Sequence, residues 1–503
     1  MSRRQRMIIG LFSGYGLTLI NLLFTVVSVP LALHYLTKQE FGIWAIALQF
    51  ASYLLLVDLG VSASVSRLLA DHKDSFPRKD YADVFYISCF LSWFQAGILA
   101  ALGGVFAWLA PFLTAVDPEQ RRLLTGLIFS QSLCTAVSLG SRSFSSPLWA
   151  YQRMDLSNLS NALGLILGFG GLWFGFHSGW GAYALVGGNA LALIPGVLVP
   201  WVFCRKEGYY PPWPGSRNLA WSRFPELLRF SRDIFFLQLG GQLASATQVV
   251  LVSRVLSVEA AAVWAVMTKF FVFAQQICNR IMDSSAAALT EMFVRADTER
   301  FRRRFTQLVE LSAWASYLGA LGIVAGNSTI VSLWTGNKIS WPSQNDFFLG
   351  FLLLVSCAVR CHLSISGITK RTSGFRWIQT AEAIVMMGIA LLGMRTYGFS
   401  AVLVGTIFAH TLVTGWFVLA TNRRLLQLSF SALLPGWPAL ASLYLVTSWL
   451  LSRLPAGLSP WQSLAGGLLV LLPSVGLSWF WGLSRETRNE LRRIASAISG
   501  RQG

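Results

Sequence analysis

The sequence has little charge for its length. Charged residues make up 12% of the 503 residues, whereas a soluble protein of this size has roughly a quarter. Hydrophobic residues account for 54%, and apolar runs of about 18 or more residues recur from one end of the chain to the other. This shortage of charge excludes an ordinary soluble domain and predicts an all-α polytopic membrane protein.

Cysteine and catalytic motifs are also scarce. The six cysteines are scattered, without the spacing of a disulfide framework or a zinc site, and Cys357 and Cys361 are interpreted as small packing residues. The sequence contains no G-x-S-x-G, H-E-x-x-H or Walker A motif and no soluble nucleotide-binding domain. We therefore expect no catalytic residue and no bound metal, and secondary transport rather than enzymatic activity.

Fourteen apolar segments are long enough to cross a bilayer. They lie near residues 10–34, 41–66, 82–110, 122–144, 156–176, 182–204, 230–253, 259–289, 305–326, 346–369, 376–394, 399–420, 433–452 and 460–482. The first follows a basic start and is too long for a cleaved signal peptide, so it is interpreted as a transmembrane helix.

Most of the positive charge lies in alternate connections between these segments. Of the 40 Lys and Arg residues, 30 fall in connections on one side, 7 on the other, and 3 inside spans. Because basic connections stay in the cytoplasm, both termini are predicted to be cytoplasmic. The net charge of +18 thus indicates topology and contact with anionic lipids, and nucleic-acid binding is not expected.

Two stretches that lie 220 residues apart are similar without a gap. They are "LTKQEFGIWAIALQF" from Leu36 and "LSVEAAAVWAVMTKF" from Leu256. Spans 1–6 and 7–12 are therefore predicted to be two copies of a six-helix lobe, parallel because six is even. The predicted divisions are an N-terminal lobe at 1–204, a cytoplasmic linker able to form an amphipathic helix at 205–229, a C-terminal lobe at 230–424, and helices 13 and 14 with a basic tail at 425–503.

The eighth span carries charges within its apolar sequence. Lys269, Phe273, Gln276, Arg280 and Asp283 fall on one stripe of roughly 80° on a helix. Ionisable groups that face lipid cost at least several kcal/mol, so they normally face a cavity or a partner. Arg280 and Asp283 can pair locally, which leaves a structural ion pair as the alternative there, whereas Lys269 has no local partner and is expected in a cavity.

Further polar residues lie in other spans. Asn21 and Thr25 belong to a polar stripe of span 1, which Gln238, Gln242 and Ser245 repeat in span 7; interhelical hydrogen bonding and cavity lining both stay open. Asp58 in span 2 has three open roles, which are pairing with a cation, binding a coupling ion and capping a kink. The weaker candidates, for which packing is the main alternative, are Arg360, His362, Glu382 and His410.

Two motifs lie near the N-terminus, one that begins at Leu36 with Glu40, Phe41, Gly42 and Trp44 and one that runs from Asp58 to Arg67. With these motifs the N-terminal sequence resembles the Wzx-type polysaccharide transporters of the multidrug/oligosaccharidyl-lipid/polysaccharide exporter superfamily. In that family the first helix leads to an "L-…-E-F-G-x-W" turn, and span 2 ends in a "D-[LF]-G-[LV]-…-R" pattern. The corresponding residues are "LTKQEFGIW" from Leu36 and "DLGVSASVSR" from Asp58. The match is clearest over about the first 75 residues, and the two predicted lobes extend it to the whole chain.

The resemblance implies that an undecaprenyl-diphosphate-linked oligosaccharide is flipped from the cytoplasmic to the outer leaflet of the bacterial inner membrane, for O-antigen, lipopolysaccharide or exopolysaccharide synthesis. Cations in a wet central cavity would replace the water around the diphosphate, and alternating access would come from rocking of the lobes. The expected substrate-binding residues are Lys269, Arg280, Gln276, Phe273, Asn21, Thr25, Gln242 and Arg360. Asp58 and Asp283 are the expected sites for a coupling H⁺ or Na⁺. A polysaccharide polymerase and other assembly proteins are the expected partners.

Three other functions stay open. A lipid II flippase also carries helices 13 and 14. A cation-coupled multidrug exporter of the same superfamily has cationic substrates, so unpaired acids are expected in its cavity rather than Lys and Arg. A channel or scaffold is less compatible with charges at mid-membrane in a repeated two-lobe chain.

Overall fold

The computed structural model of the chain describes residues 3–72, 79–114, 116–212, 224–369, 374–455 and 459–498. These residues form helices joined by turns, with no strand among them, so the predicted all-α class is confirmed. Contacts divide the chain into two units, Met1–Ala262 and Val263–Gly503, which are described separately. Most of the predicted amphipathic helix of the linker falls on residues 213–223, outside the described residues.

The first unit contains eight complete helices among its described residues. They are α1 (Arg3–Tyr35), α2 (Lys38–Leu54), α3 (Val61–His72), α4 (Lys79–Leu113), α5 (Arg121–Ala150), α6 (Met154–His177), α7 (Tyr183–Lys206) and α8 (Phe224–Val255), with 3₁₀ turns at Leu55–Asp58 and Pro118–Gln120. Helix α9 (Val258–Met267) crosses the division between the units.

The second unit continues with ten helices among its described residues. They are α10 (Lys269–Val294), α11 (Thr298–Trp334), α12 (Gln344–Thr369), α13 (Phe375–Tyr397), α14 (Phe399–Ala409), α15 (Trp416–Leu426), α16 (Phe430–Leu433), α17 (Trp437–Leu451), α18 (Pro460–Trp481) and α19 (Arg485–Ile498). A π-helical turn, His410–Gly415, joins α14 to α15.

Twelve spans within the described residues are long and apolar enough to cross a membrane, which makes the chain a multi-pass membrane protein. They correspond to all of the predicted spans except the seventh and the thirteenth. The seventh coincides with α8, and the thirteenth with α17, an apolar helix of 15 residues. The count of fourteen therefore stays a prediction.

Two basic stretches that were predicted as connections are helical instead. The segment from Ser141 to Ala150 continues α5, and the basic run from Thr298 forms the first turns of α11. In α5 the serine hydroxyls bond back to carbonyls of the preceding turn, as Ser143 does to Gly140 O at 3.2 Å. This satisfies the polar side chains within the helix, so a polar run does not end it.

Glycines bring α6 and α7 close together. A Cβ on Gly164 would lie 2.7 Å from the carbonyl oxygen of Ala192, and one on Gly188 would lie 2.8 Å from that of Gly168. Such close backbone approach is how small residues pack transmembrane helices in the absence of a hydrophobic driving force.

The two stretches of the predicted repeat begin with the same helix cap. Thr37 accepts a hydrogen bond from Glu40 N at 3.2 Å at the start of α2, and Ser257 accepts one from Ala260 N at 3.0 Å at the start of α9. Both pairs keep the offset of 220, as a repeat requires. The division into two lobes stays a prediction, and α8, which the sequence assigned to the second lobe, packs against α2 and α3 in the first unit.

Helices α17 and α18 pack on α11 in the second unit. Trp314 on α11 donates to Ser478 Oγ of α18 at 3.0 Å, and the hydroxyls of Thr447 and Ser474 join α17 to α18 at 2.7 Å. Helices α17 and α18, which lie outside the predicted repeat, are therefore held to each other and to α11 by polar contacts as well as by apolar packing.

Candidate functional site

The second predicted span is broken in its middle. After α2 the 3₁₀ turn Leu55–Asp58 leads to Leu59 and Gly60, whose φ angles are +50° and +77°, and α3 begins at Val61. A leucine in the left-handed region costs roughly 1–2 kcal/mol. The surrounding contacts must hold this break in place, and such strain is concentrated at functional sites.

Asp58 lies at this break and is almost fully buried. Its carboxylate accepts hydrogen bonds from the backbone N of Ser62 at 3.3 Å and from the Ser62 hydroxyl, and it lies 3.9 Å from Arg142 Nη1. Gln95 Nε2 donates to the carbonyl oxygens of Val57 and Asp58 at 2.9 and 3.0 Å. Of its three open roles, Asp58 thus performs cation pairing and kink capping here, while binding of a coupling ion stays a prediction.

Two threonine hydroxyls of span 1 are satisfied within their own helix. Thr18 and Thr25 donate to the carbonyl oxygens of Gly14 and Asn21, each at 3.0 Å, rather than to another helix. The Asn21 side chain is exposed, and that of Gln242 on α8 is half-buried. The Gln238 and Ser245 side chains lie outside the described residues. The structure does not bring Asn21, Thr25 and Gln242 into hydrogen-bond contact with one another.

The eighth predicted span consists of two helices, α9 and α10, which meet at Thr268. The Thr268 hydroxyl donates to Trp264 O at 2.8 Å. The carbonyl oxygen of Met267, the last residue of α9, accepts a hydrogen bond from Asn327 Nδ2 of α11 at 3.2 Å. The same Nδ2 donates to Asp346 Oδ1 at 2.7 Å. The buried Asp346 carboxylate thereby supports the break, a role that the sequence did not indicate.

Lys269 is the first residue of α10, directly after this break. Its side chain is half-buried and makes no hydrogen bond or ion pair with any other residue that the structure describes. The predicted stripe lies wholly within α10, because the break precedes it. Phe273 is half-buried, and Gln276, Arg280 and Asp283 are exposed.

Asp283 pairs with Arg360 of α12, whose Nη2 lies 3.1 Å from Asp283 Oδ1. The local pair with Arg280, which the sequence left open as an alternative, does not form here, because α12 lies beside α10 and offers a cation that sequence spacing does not reveal. Both partners are about half exposed, at 47% and 48%. Arg280 makes no ion pair within the described part of the chain.

His362 and His410, the weaker candidates for which hydrogen-bonded packing is the main alternative, both lie in polar contacts. His362 is fully buried, lies 3.1 Å from Leu433 O through Nε2, and accepts at its carbonyl a bond from Asn422 at 3.0 Å. His410 instead contacts the carboxylate of Glu382, to which Thr414 also donates. Thr414 was not singled out, since a hydroxyl four residues after a histidine carries no distinctive signal.

The described residues contain no cluster of three or more His, Cys, Asp or Glu side chains that could hold a metal ion. All six cysteines are free thiols.

Sequence comparison gives one family match. A family model described as polysaccharide biosynthesis protein matches residues 10–287, which is more than half of the chain. No curated protein matches the sequence significantly.

Solved structures of transporters have the same fold. The lipid II flippase MurJ in an inward closed conformation has a TM-score of 0.65 at 13% identity, covering 94% of this chain and 99% of that one. An inward-facing multidrug resistance MATE family transporter of the MOP superfamily gives 0.62 at 14%, covering 78% and 94%. The MATE multidrug transporter DinF-BH in complex with R6G gives 0.56 at 13%, covering 85% and 96%. At these identities the similarity establishes the fold.

Proposed function

The chain belongs to the polysaccharide biosynthesis protein family, and from this premise we propose that it is a flippase for an undecaprenyl-diphosphate-linked oligosaccharide. It moves this lipid from the cytoplasmic to the outer leaflet of a bacterial inner membrane. The cargo carries a diphosphate, which is strongly anionic and must pass the bilayer centre. The family match to polysaccharide biosynthesis proteins supports a saccharide as the cargo. The fold that this chain shares with membrane transporters supports a cargo that crosses the membrane.

The observation that carries this proposal is Lys269. It stands inside an apolar span with no anionic partner among the described residues, at the start of a helix whose exposed face continues through Gln276 and Arg280. An unpaired cation in this setting costs several kcal/mol unless an anion or water compensates it. A diphosphate is such an anion, and charge-assisted hydrogen bonds to it are about twice as strong as neutral ones.

The remaining predicted residues take supporting roles in this proposal. Arg280 adds a second cation roughly 16 Å along the helix axis from Lys269, so the diphosphate meets positive charge at two depths. Phe273, Gln276, Asn21, Thr25 and Gln242 bind sugars. Arg360 is a third cation, partly neutralised by Asp283. We propose that the two six-helix lobes rock around these residues in alternating access.

The orientation follows from the basic connections. Because 30 of the 40 Lys and Arg lie on one side, we propose that both termini are cytoplasmic. The cargo then enters from the side on which its sugars are assembled, and a polysaccharide polymerase on the outer face is the expected consumer.

The test compares three alanine variants. Lys269→Ala and Arg280→Ala are expected to insert at normal levels and to lose most transport, because each removes a cation that only the cargo neutralises. Lys38→Ala is the matched control, since Lys38 is an exposed cation at the first residue of α2, and it is expected to transport like wild type. Transport is measured in a gene-deletion strain as the loss of accumulated cytoplasm-facing lipid-linked oligosaccharide. Normal transport by both Lys269→Ala and Arg280→Ala would make the cationic site wrong.

A lipid II-type flippase is the second candidate. The similarity to MurJ over 94% of this chain favours it, and the same cations serve its diphosphate. Accumulation of lipid II instead of a longer oligosaccharide in the deletion strain identifies this branch. Altered tolerance to cationic drugs with no accumulated lipid identifies a multidrug exporter and contradicts both candidates.

A further inference from the structure

A buried carboxylate and an imidazole are in direct contact in the second unit. Glu382 of α13 and His410 at the start of the π turn approach to 2.6 Å between Oε1 and Nδ1. The Glu382 side chain is 8% exposed and that of His410 is 20% exposed. The second carboxylate oxygen accepts a hydrogen bond from the Thr414 hydroxyl. Among the described residues, no Lys or Arg forms an ion pair with Glu382.

The charge of this pair decides its chemistry. If both groups keep their solution states above neutral pH, a single negative charge is buried inside a membrane span, which is expensive. Addition of one proton to the imidazole gives a neutral ion pair of carboxylate and imidazolium, with a hydrogen bond of the strong, charge-assisted kind. One added proton thus leaves this pair without a net charge, in contrast to His362, whose ring nitrogens contact a carbonyl oxygen and an amide.

The backbone is shaped to make this contact. His410–Gly415 is a π-helical turn between α14 and α15, and such single turns are frequently found at functional sites. The turn presents both His410 and Thr414 to the same carboxylate. It ends at Gly415, where an added Cβ would lie 2.9 Å from His410 O, so the close backbone approach requires glycine.

The imidazole of His410 is not fully enclosed by the protein. Its Nε2 makes no hydrogen bond to any other residue that the structure describes, and a fifth of the side chain is exposed. The neighbouring elements carry few other ionisable groups. On α12, α13 and α15 these are Asp346, Cys357, Arg360, Cys361, His362, Arg395, Tyr397, Arg423 and Arg424, and α14 has none. The side chain of Arg376, also on α13, lies outside the described residues. None of these groups hydrogen-bonds or ion-pairs with Glu382 or His410 within the described residues.

We propose that Glu382 and His410 form a proton-binding site that couples transport to the proton gradient, an inference that rests on the proposed flippase function for its second half. In the empty state, Nδ1–H of neutral His410 donates to the Glu382 carboxylate. A proton from water adds to the free lone pair of Nε2 and gives the imidazolium. Release returns the same proton to water, so that one proton is bound and one is released in each cycle. Asp58 and Asp283, by contrast, already have cationic partners.

The first experiment observes the proton directly. The chain has only five histidines, so ¹⁵N-histidine NMR of the purified full-length protein in lipid resolves them, and His410→Gln identifies the signal of His410. We expect the wild-type His410 signal to change from imidazole to imidazolium as the pH is lowered. In Glu382→Gln the same change is expected at a different pH from that of wild type, because the carboxylate that contacts the imidazole is gone. If Glu382→Gln is not recovered folded, Glu382→Asp serves, with a smaller expected change.

The second experiment uses the same variants in vesicles that contain lipid-linked oligosaccharide. Wild type is expected to flip faster when a pH difference is imposed, and Glu382→Gln is expected to flip at a rate that ignores the pH difference. His362→Gln is the matched control, since it removes a buried histidine of the same unit that has no carboxylate partner. It is expected to keep the pH response.

Each outcome has one meaning. A His410 signal that does not titrate, or that titrates alike in wild type and Glu382→Gln, overturns the proton site. A titrating site with a pH response that survives in Glu382→Gln overturns the coupling. If the wild-type vesicles flip no lipid-linked oligosaccharide, the proposed function is wrong and the coupling falls with it, while the NMR result still decides the proton site.

Discussion

At the scale of single residues, charges inside the spans occur in three kinds of surroundings. Asp58 is buried among donors and near a cation. Asp283 and Arg360 form a half-exposed pair. Lys269 has no partner among the described residues. An unpaired charge inside the membrane has the highest free-energy cost of the three. A purely structural role therefore accounts least well for Lys269.

For the ion pair of Asp283 and Arg360, we predict that loss of the two charges changes cargo binding in opposite directions. Asp283 neutralises Arg360, so Asp283→Asn is expected to strengthen binding of the anionic lipid-linked cargo, and Arg360→Gln to weaken it. Each effect is expected to be roughly threefold to fivefold, because a half-exposed pair is worth at most about 1 kcal/mol. Binding of lipid-linked oligosaccharide to the purified variants measures this. Weaker binding in both variants would mean that the pair holds α10 to α12 and does not face the cargo.

Sequence reasoning found the charged residues but not all of their partners. The stripe on α10 follows from helical periodicity alone, so its placement on one helix could be predicted. The partner of Asp283 is 77 residues away and that of Glu382 is 28 residues away, and only the packing of helices decides such contacts. The same reason explains why Asn327 and Asp346, which support the break before Lys269, were missed.

At the scale of elements, two spans are broken, and at different places in the proposed repeat. The break in span 2 lies at Leu59 and Gly60, whereas the one in span 8 lies at Thr268, which corresponds to Leu48 at the offset of 220. The first could be suspected from Gly60 within an apolar run. The second has neither glycine nor proline, and it depends on side chains of α11 and α12, so the local residues carry no sign of it.

The packing of α6 on α7 gives a prediction about stability. Gly164→Ala is expected to destabilise the protein by about 1–3 kcal/mol, because the new methyl group meets a backbone carbonyl that has little room to move. Gly170→Ala on the same helix is the control, since a Cβ there has nothing within 4 Å. The control is expected to be neutral or slightly stabilising.

Reversible unfolding of the two purified variants in mixed micelles measures this difference. Equal midpoints for Gly164→Ala and Gly170→Ala would show that α6 and α7 can separate at no cost. The close approach of their backbones would then not contribute to the stability of the first unit.

At the scale of the whole molecule, the basic C-terminal helix α19 is held against the first turns of α11, within the second unit. Glu310 of α11 is buried and accepts hydrogen bonds from the backbone N and hydroxyl of Ser484 and from the Thr487 hydroxyl, at the N-terminus of α19. Arg304 and Glu490 form a further ion pair between α11 and α19. One carboxylate thus caps a helix that is distant in sequence.

Loss of that carboxylate is expected to release α19. Glu310→Ala leaves the donors of Ser484 and Thr487 to water, at a cost of about 1–2 kcal/mol, so the undocked helix becomes roughly five to thirty times more populated. Limited trypsin digestion of the arginine-rich tail is expected to be faster in proportion. Glu299→Ala, which removes an exposed carboxylate from the same helix, is expected to digest like wild type, and an equal rate in both variants would contradict the capping role.

The fold class of the whole chain could be predicted because apolar runs determine membrane spans. The matching caps of α2 and α9 agree with the sequence repeat. The ends of the helices could not be predicted, since Ser and Arg side chains in α5 and α11 are accommodated without ending either helix.

The π turn at His410–Gly415 has an evolutionary consequence. Such a turn holds one residue more than the α-helix that it interrupts, so it is the mark that a single-codon insertion leaves. Deletion of one residue between His410 and Gly415 would restore a regular helix and rotate everything after it by about 100°. The acid–imidazole pair and the direction in which Arg423 and Arg424 point would then change in one event. A relative with this segment one residue shorter is therefore expected to lack the histidine or the glutamate as well.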